Sequence, residues 1–140
     1  MQIEMLLAGL TSHLQSQKRL FHDLGSVQNK LRESMDANQD LSSVLAILSQ
    51  KNQLLDQVRQ NNSLAAPYVA EWPEARKILG STPAVLHVKT LLEEVEGLAQ
   101  TMRRQDEEMI KRFEKLVAPN KVVDQTERSR NMLNAFRALR

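Results

Sequence analysis

The chain contains no cysteine, which rules out a disulfide framework and a thiolate metal site, and is compatible with a reducing compartment. Aromatic residues make up only 4% of its 140 residues, so Leu, Val, Met and Ala must fill the core, as in coiled coils and helical bundles. Four Gly and four Pro are few for a β protein, whose turns need them. No apolar run approaches the roughly 20 residues needed to cross a bilayer. The opening Met1-Gln-Ile-Glu-Met-Leu-Leu-Ala-Gly-Leu10 faintly suggests a signal peptide, but Glu4 stands where a basic segment is required and the apolar run is short. It reads as helix. The expectation is a single soluble, cytoplasmic domain with no membrane insertion.

Catalytic constellations are also missing. His13 and His22 lie nine residues apart, which places them on opposite sides of a helix. His87 has no Glu three residues before it, so the Glu-x-x-His pairs of di-iron bundles are absent. Glu93, Glu94 and Glu96, and Asp106, Glu107 and Glu108, sit among cations and read as a solvated face. There is no glycine-rich phosphate loop, metalloprotease motif or nucleophile elbow. The expectation is no enzyme, no cofactor and no metal.

What is present is helical periodicity, clearest in Pro83 to Ala118. Steps of four and three pick out Val88, Leu92, Val95, Ala99, Met102, Asp106, Met109, Phe113 and Leu116. Only Asp106 interrupts this heptad-like seam, by which one helix lies nearly parallel against others. Ser81 and Thr82 can cap the first turn and Pro83 suits the first helical position. Pro119 cannot continue the helix. Such a helix is about 50 Å long. Its outer face pairs Arg103 with Glu107, Arg104 with Glu108, Glu107 with Lys111 and Glu108 with Arg112 at four-residue spacing.

A first helix is expected from about Gln2 to Met35, with Ile3, Leu7, Leu10, Leu14, Phe21, Leu24, Leu31 and Met35 on its seam. Gln17 and Gln28 interrupt it, and Leu6, Leu20 and Val27 widen it. Gly9 and Gly25 are either tolerated costs or places where a neighbour approaches closely. Asp36 to Asp40 reads as a break with Asp40 as N-cap, the alternative being one very long helix through it. The second helix is expected from about Leu41 to Gln60, its face marked by Leu41, Val44, Leu45, Leu48, Leu55 and Val58 and broadened by Ile47 and Leu54. Asn61, Asn62 and Ser63 would end it. Residues 64 to 82 are expected to form an irregular link with a short helix from Pro73 to Gly80. Tyr68 and Trp72 would then lid one end of the bundle or, alternatively, line a ligand site.

Charge divides the chain. Residues 1 to 118 carry 14 Lys/Arg against 15 Asp/Glu, a net of −1, whereas residues 119 to 140 carry five against two, a net of +3. This marks residues 1 to 118 as the bundle domain and 119 to 140 as a basic interaction segment. Asp124 and Glu127 have capping-box-like spacing, and Met132, Leu133, Phe136 and Leu139 share one helical face in that segment. Those four are the candidate partner-binding residues. The fold expected is all-α: an elongated antiparallel helical bundle, or coiled-coil-like hairpin of long helices, with a short amphipathic C-terminal helix. The body offers no basic stripe, so nucleic acid is not an expected partner.

Two stretches carry a family resemblance. Leu41-Ser-Ser-Val-Leu-Ala-Ile-Leu-Ser-Gln-Lys-Asn-Gln-Leu-Leu-Asp follows a long first helix and an Asp-rich break. Leu91-Leu-Glu-Glu-Val-Glu-Gly-Leu-Ala-Gln then leads to Asp106-Glu-Glu-Met. Together they resemble flagellar type III export chaperones of the FlgN type, in which a leucine-rich helix with a central Lys precedes an irregular link and a long helix. The resemblance covers about residues 1 to 118 and rests on heptad-like patterns. It implies an all-helical cytoplasmic chaperone or adaptor. Such a protein binds hook–filament junction proteins, keeps their aggregation-prone ends soluble and delivers them to the export machinery. Partner binding in the family involves an amphipathic C-terminal helix surface, which points to Met132, Leu133, Phe136 and Leu139. The alternatives are a structural coiled-coil subunit or scaffold that self-associates as a homo-oligomer, and a membrane or nucleic-acid adaptor using the basic tail. The tail's apolar face could also fold back and complete the protein's own core.

Overall fold

The computed structural model describes residues 2–37 and 40–116. They form an all-α fold of three long helices packed as a bundle: α1 (Ile3–Asp36), α2 (Leu41–Leu79) and α3 (Pro83–Leu116). No strand occurs among the described residues. Short links make consecutive helices antiparallel, so α1 and α3 run in the same direction.

The helix ends follow local chemistry. The chain breaks after α1, and the Asp40 carboxylate accepts a hydrogen bond from the Ser43 backbone N–H at 2.9 Å as the N-cap of α2. That bond, with a second from the Ser43 side chain, holds the Asp40 carboxyl below its ordinary pKa. α2 stops at Gly80, whose φ of 62° is left-handed and whose N–H donates to Arg76 O at 3.1 Å. α3 starts as expected: Thr82 Oγ1 accepts from the Val85 N–H at 3.4 Å, Thr82 O accepts from the Leu86 N–H at 3.0 Å, and Pro83 takes the first helical position.

The course of α2 corrects one expectation. It does not end at Asn61–Ser63, and residues 64 to 79 are not an irregular link; α2 continues unbroken to Leu79 with Pro67 and Pro73 inside it. Each proline removes a donor and presses on the carbonyl four residues back. Here both prolines, and Ser63 and Val69 four residues before them, lie at exposed positions where water can reach the freed carbonyls. Opposite them, Tyr68, Trp72, Ala75 and Leu79 step by four, three and four along a packed face. Burial of that face offsets the proline cost, because tertiary packing supplies most helical stability. Tyr68 and Trp72 thus belong to the side of a helix rather than to a lid.

The chain divides into two compact units, each taking a segment of every helix. Among the described residues, unit 1 comprises those up to Asp23 together with Asp56–Ala99, and unit 2 comprises those between Leu24 and Leu55 together with those from Gln100 to Leu116. The core of unit 1 gathers Leu6, Leu10 and Leu14 of α1, Trp72 and Ala75 of α2, and Val85, Val88 and Leu91 of α3. That of unit 2 gathers Leu31 and Met35, then Val44 and Leu48, then Met109, Ile110 and Phe113. Of the expected seams, Leu10, Leu14, Leu24, Leu31 and Met35 of α1 and Val88, Met102, Met109 and Phe113 of α3 are buried.

The two α1 glycines have different reasons. A Cβ on Gly9 would lie 2.5 Å from Tyr68 Cε1, so the ring occupies the space a side chain would need. A Cβ on Gly25 would meet nothing within 4 Å, and that glycine is a tolerated cost. On the outer face of α3, charges do not simply pair along the helix. Arg112 reaches across to Asp36, at 2.7 and 3.0 Å from its two oxygens, and Arg104 donates to Thr101 Oγ1 at 3.3 Å. The Asp36 pair is largely exposed and worth at most about 1 kcal/mol.

Candidate functional site

The residues that interrupt the apolar seams meet one another. In unit 2 each helix contributes one: Gln28 from α1, Lys51 from α2 and Asp106 from α3. Lys51 Nζ donates to Asp106 Oδ1, and Gln28 Nε2 donates to the same oxygen at 2.9 Å. The Lys51 side chain is 1% exposed and that of Asp106 16%. Gln28, 3% exposed, keeps its amide nitrogen towards the carboxylate because an acceptor there demands a donor. Its buried Oε1 has no hydrogen-bond partner among the described residues. Gln28 also lines a cleft of about 20 Å³ with Asn29, Arg32, Gln105, Glu108, Met109 and Arg112, room enough for one water. The buried lysine's charge is answered inside the core by a single carboxylate, whose edge reaches the surface.

In unit 1 the interruption is neutral. Asn61 Nδ2 donates to Gln17 Oε1 at 2.6 Å and to the backbone carbonyl of His13 at 2.9 Å. Gln17 Nε2 donates to Asn62 Oδ1 at 3.0 Å. With both Asn61 amide hydrogens so used, its Oδ1 accepts from the His13 Nδ1–H at 3.1 Å. The His13 ring lies 5.5 Å from the Tyr68 ring, centroid to centroid, at 36°. Asn61 and Asn62, expected to end α2, instead tie its middle to α1. Nearby, Lys18 and Glu94 form a half-exposed ion pair at 2.8 Å.

Sequence reasoning identified Gln17, Gln28 and Asp106 as seam breakers but missed Lys51. The signal was a gap in the α2 stepping: Val44, Leu48, position 51, Leu55 and Val58 follow four-three spacing, and position 51 holds the lysine. Among the described residues, no three His, Asp or Glu side chains gather as a metal ion would require. No helix among them is long and apolar enough to cross a membrane.

Gln17, Gln28 and Lys51 are buried, His13, Asn61 and Asp106 are half-buried, and Asn62 reaches the surface. Met5, Leu64, Val69, Ile78 and Leu86 stand exposed in unit 1, Ile78 the most at 72%, and Leu45 in unit 2. The candidate partner-binding residues Met132, Leu133, Phe136 and Leu139 lie outside the described residues, as does the rest of segment 119–140. No family model matches the chain, and no curated protein and no solved structure matches it.

Proposed function

We propose that this protein is a helical binding module: a cytoplasmic chaperone or adaptor of the flagellar type III export kind. It would hold an amphipathic segment of a hook–filament junction protein and present it to the export machinery. The observation that supports this reading is the division of labour among side chains. Most polar groups of the seams are paired with one another across helices, while several large aliphatic side chains remain in water. A bundle so arranged has little chemistry to offer a small substrate and apolar surface to offer a helix. The three seams also fill one another within a single chain, which weighs against the reading as a coiled-coil subunit completed by identical copies.

The resemblance and the patterning of the basic segment make Phe136 the anchor, with Met132, Leu133 and Leu139 beside it. The test is calorimetric titration of the full chain, and of Phe136→Ala, with terminal segments of junction proteins. Binding by the wild type and a loss of about 1–3 kcal/mol in the variant, with helicity unchanged, is the expected result. Unchanged affinity removes Phe136 from the site. Absence of binding to every junction segment removes the chaperone reading.

A further inference from the structure

The Gln28–Lys51–Asp106 layer has a cost, because a lysine taken out of water is compensated by one carboxylate oxygen, which it shares with the Gln28 amide as a second donor. An apolar residue at each of the three positions would bury as well and avoid that cost. The positions around the layer show what such a core would lose. Seven residues to either side lie Phe21 and Met35 on α1, Val44 and Val58 on α2, and Ala99 and Phe113 on α3. All are apolar. If any one helix of unit 2 moved along the others by a heptad, its polar member would be set among apolar groups and the other two would lose it. A seam of apolar residues alone carries no such penalty, since Leu, Met and Val replace one another at little cost in a bundle core.

α1 and α2 have a second fixed point in unit 1, where Gln17 meets Asn61 and Asn62. α3 has no polar partner in that network. Its cross-helix ion pairs outside the layer, Glu94 with Lys18 and Arg112 with Asp36, are substantially exposed and correspondingly weak. The link from Leu79 to Pro83 is short and also restrains α3, although a helix can fray a turn at its end to absorb a shift.

We infer that the Gln28–Lys51–Asp106 layer is a register lock: it selects one packing of α3 in unit 2, at the expense of stability, where an apolar core would accept several. The closest parallel in kind is a single buried polar position that fixes the register of a coiled coil.

The chain has no cysteine, so spin labels can be placed cleanly. Asp36→Cys with Arg112→Cys, labelled in the full chain, reports the register of α1 against α3 in unit 2 by continuous-wave dipolar broadening in electron paramagnetic resonance, which reads the short separations of neighbouring side chains. In the otherwise native chain one narrow distance is expected. In Gln28→Leu/Lys51→Met/Asp106→Leu the urea midpoint should be equal or higher while the distance splits or broadens. Displaced populations should lie about 5 or 10 Å along the axis, one or two helical turns at 1.5 Å per residue. A single narrow distance at the native value in that variant overturns the proposal, because the links and apolar packing would then suffice. If the triple variant does not fold, Lys51→Met/Asp106→Leu, which retains Gln28, decides by the same readout: a split distance supports the lock and a single native one overturns it. Failure of both to fold also overturns it, since the layer would then be needed for stability rather than for choice among packings.

Discussion

Unit 1 breaks its apolar core with an amide network of Gln17, Asn61 and Asn62 bound to His13; unit 2 does so with an ion pair, Lys51 and Asp106, steadied by Gln28. Both satisfy polar groups by pairing them across helices, yet they store different risks. Amides, if a partner is lost, forfeit hydrogen bonds and some hydration. A buried ammonium that loses its carboxylate is left with a charge in a medium that solvates it poorly. The comparison teaches that the same interruption of a heptad seam can be mild or severe, depending on whether its partner carries charge.

The largest expected effect tests that difference directly. Asp106→Leu strands Lys51 and should lower unfolding free energy by about 3–5 kcal/mol. The matched loss in unit 1, Asn61→Leu, leaves only neutral groups unpaired and should cost about 1–3 kcal/mol. Urea denaturation of both variants measures this. Equal losses would break the comparison and mean that Asp106, already at the edge of the core, lets water reach Lys51 when it is removed.

The glycines sharpen the contrast at a smaller scale. Gly9→Ala in unit 1 brings a Cβ against the Tyr68 ring, which also stacks near His13, and should destabilise by about 1–3 kcal/mol. Gly25→Ala in unit 2 fills open space on a helix and should stabilise by about 0.5–1 kcal/mol. Thermal midpoints moving in opposite directions are the expected result. A gain at both sites would show that Tyr68 yields its place freely, and that its packing does not constrain α1.

Much of this architecture was legible because it rests on local chemistry. The break before Asp40 and the start of α3 at Pro83 follow from caps and from proline's fixed φ, which act within a few residues. The second half of α2 was not legible by those rules. Asn61, Asn62, Pro67 and Pro73 are local breakers, and what overrides them is burial of Tyr68, Trp72 and Ala75 against other helices. The four-three spacing of 68, 72, 75 and 79 carried that signal, but it competed with two prolines. For the polar layer, the members Gln28 and Asp106 were visible as exceptions to their seams. Their meeting was not, because it depends on the relative register of α1, α2 and α3, which no single helix encodes. Lys51 was hidden for a simpler reason: a long charged side chain next to Gln50 and Asn52 reads as surface unless the seam is followed through it.

The smallest expected effect concerns the exposed start of α2, where a carboxylate is bound by backbone rather than by a lysine. Asp40 has its pKa lowered by hydrogen bonds from Ser43, so its charged form contributes stability above its ordinary value of 3.8. That contribution falls as pH drops through 3.8 and is lost below the lowered folded value. Asp40→Ala should therefore lower the thermal midpoint near neutral pH, and the gap to wild type should narrow on acidification. Asp40→Asn, which caps a helix as well without a titrating group, should keep most of the stability near neutral pH and, because only the wild type loses its charged cap in acid, should match or exceed the wild type there. A gap for Asp40→Ala that stays constant through acid pH would mean the side chain acts by shape or by its neutral hydrogen bond. The charged contrast would then belong to the buried pair at Lys51 alone, which salt and solvent screen far less.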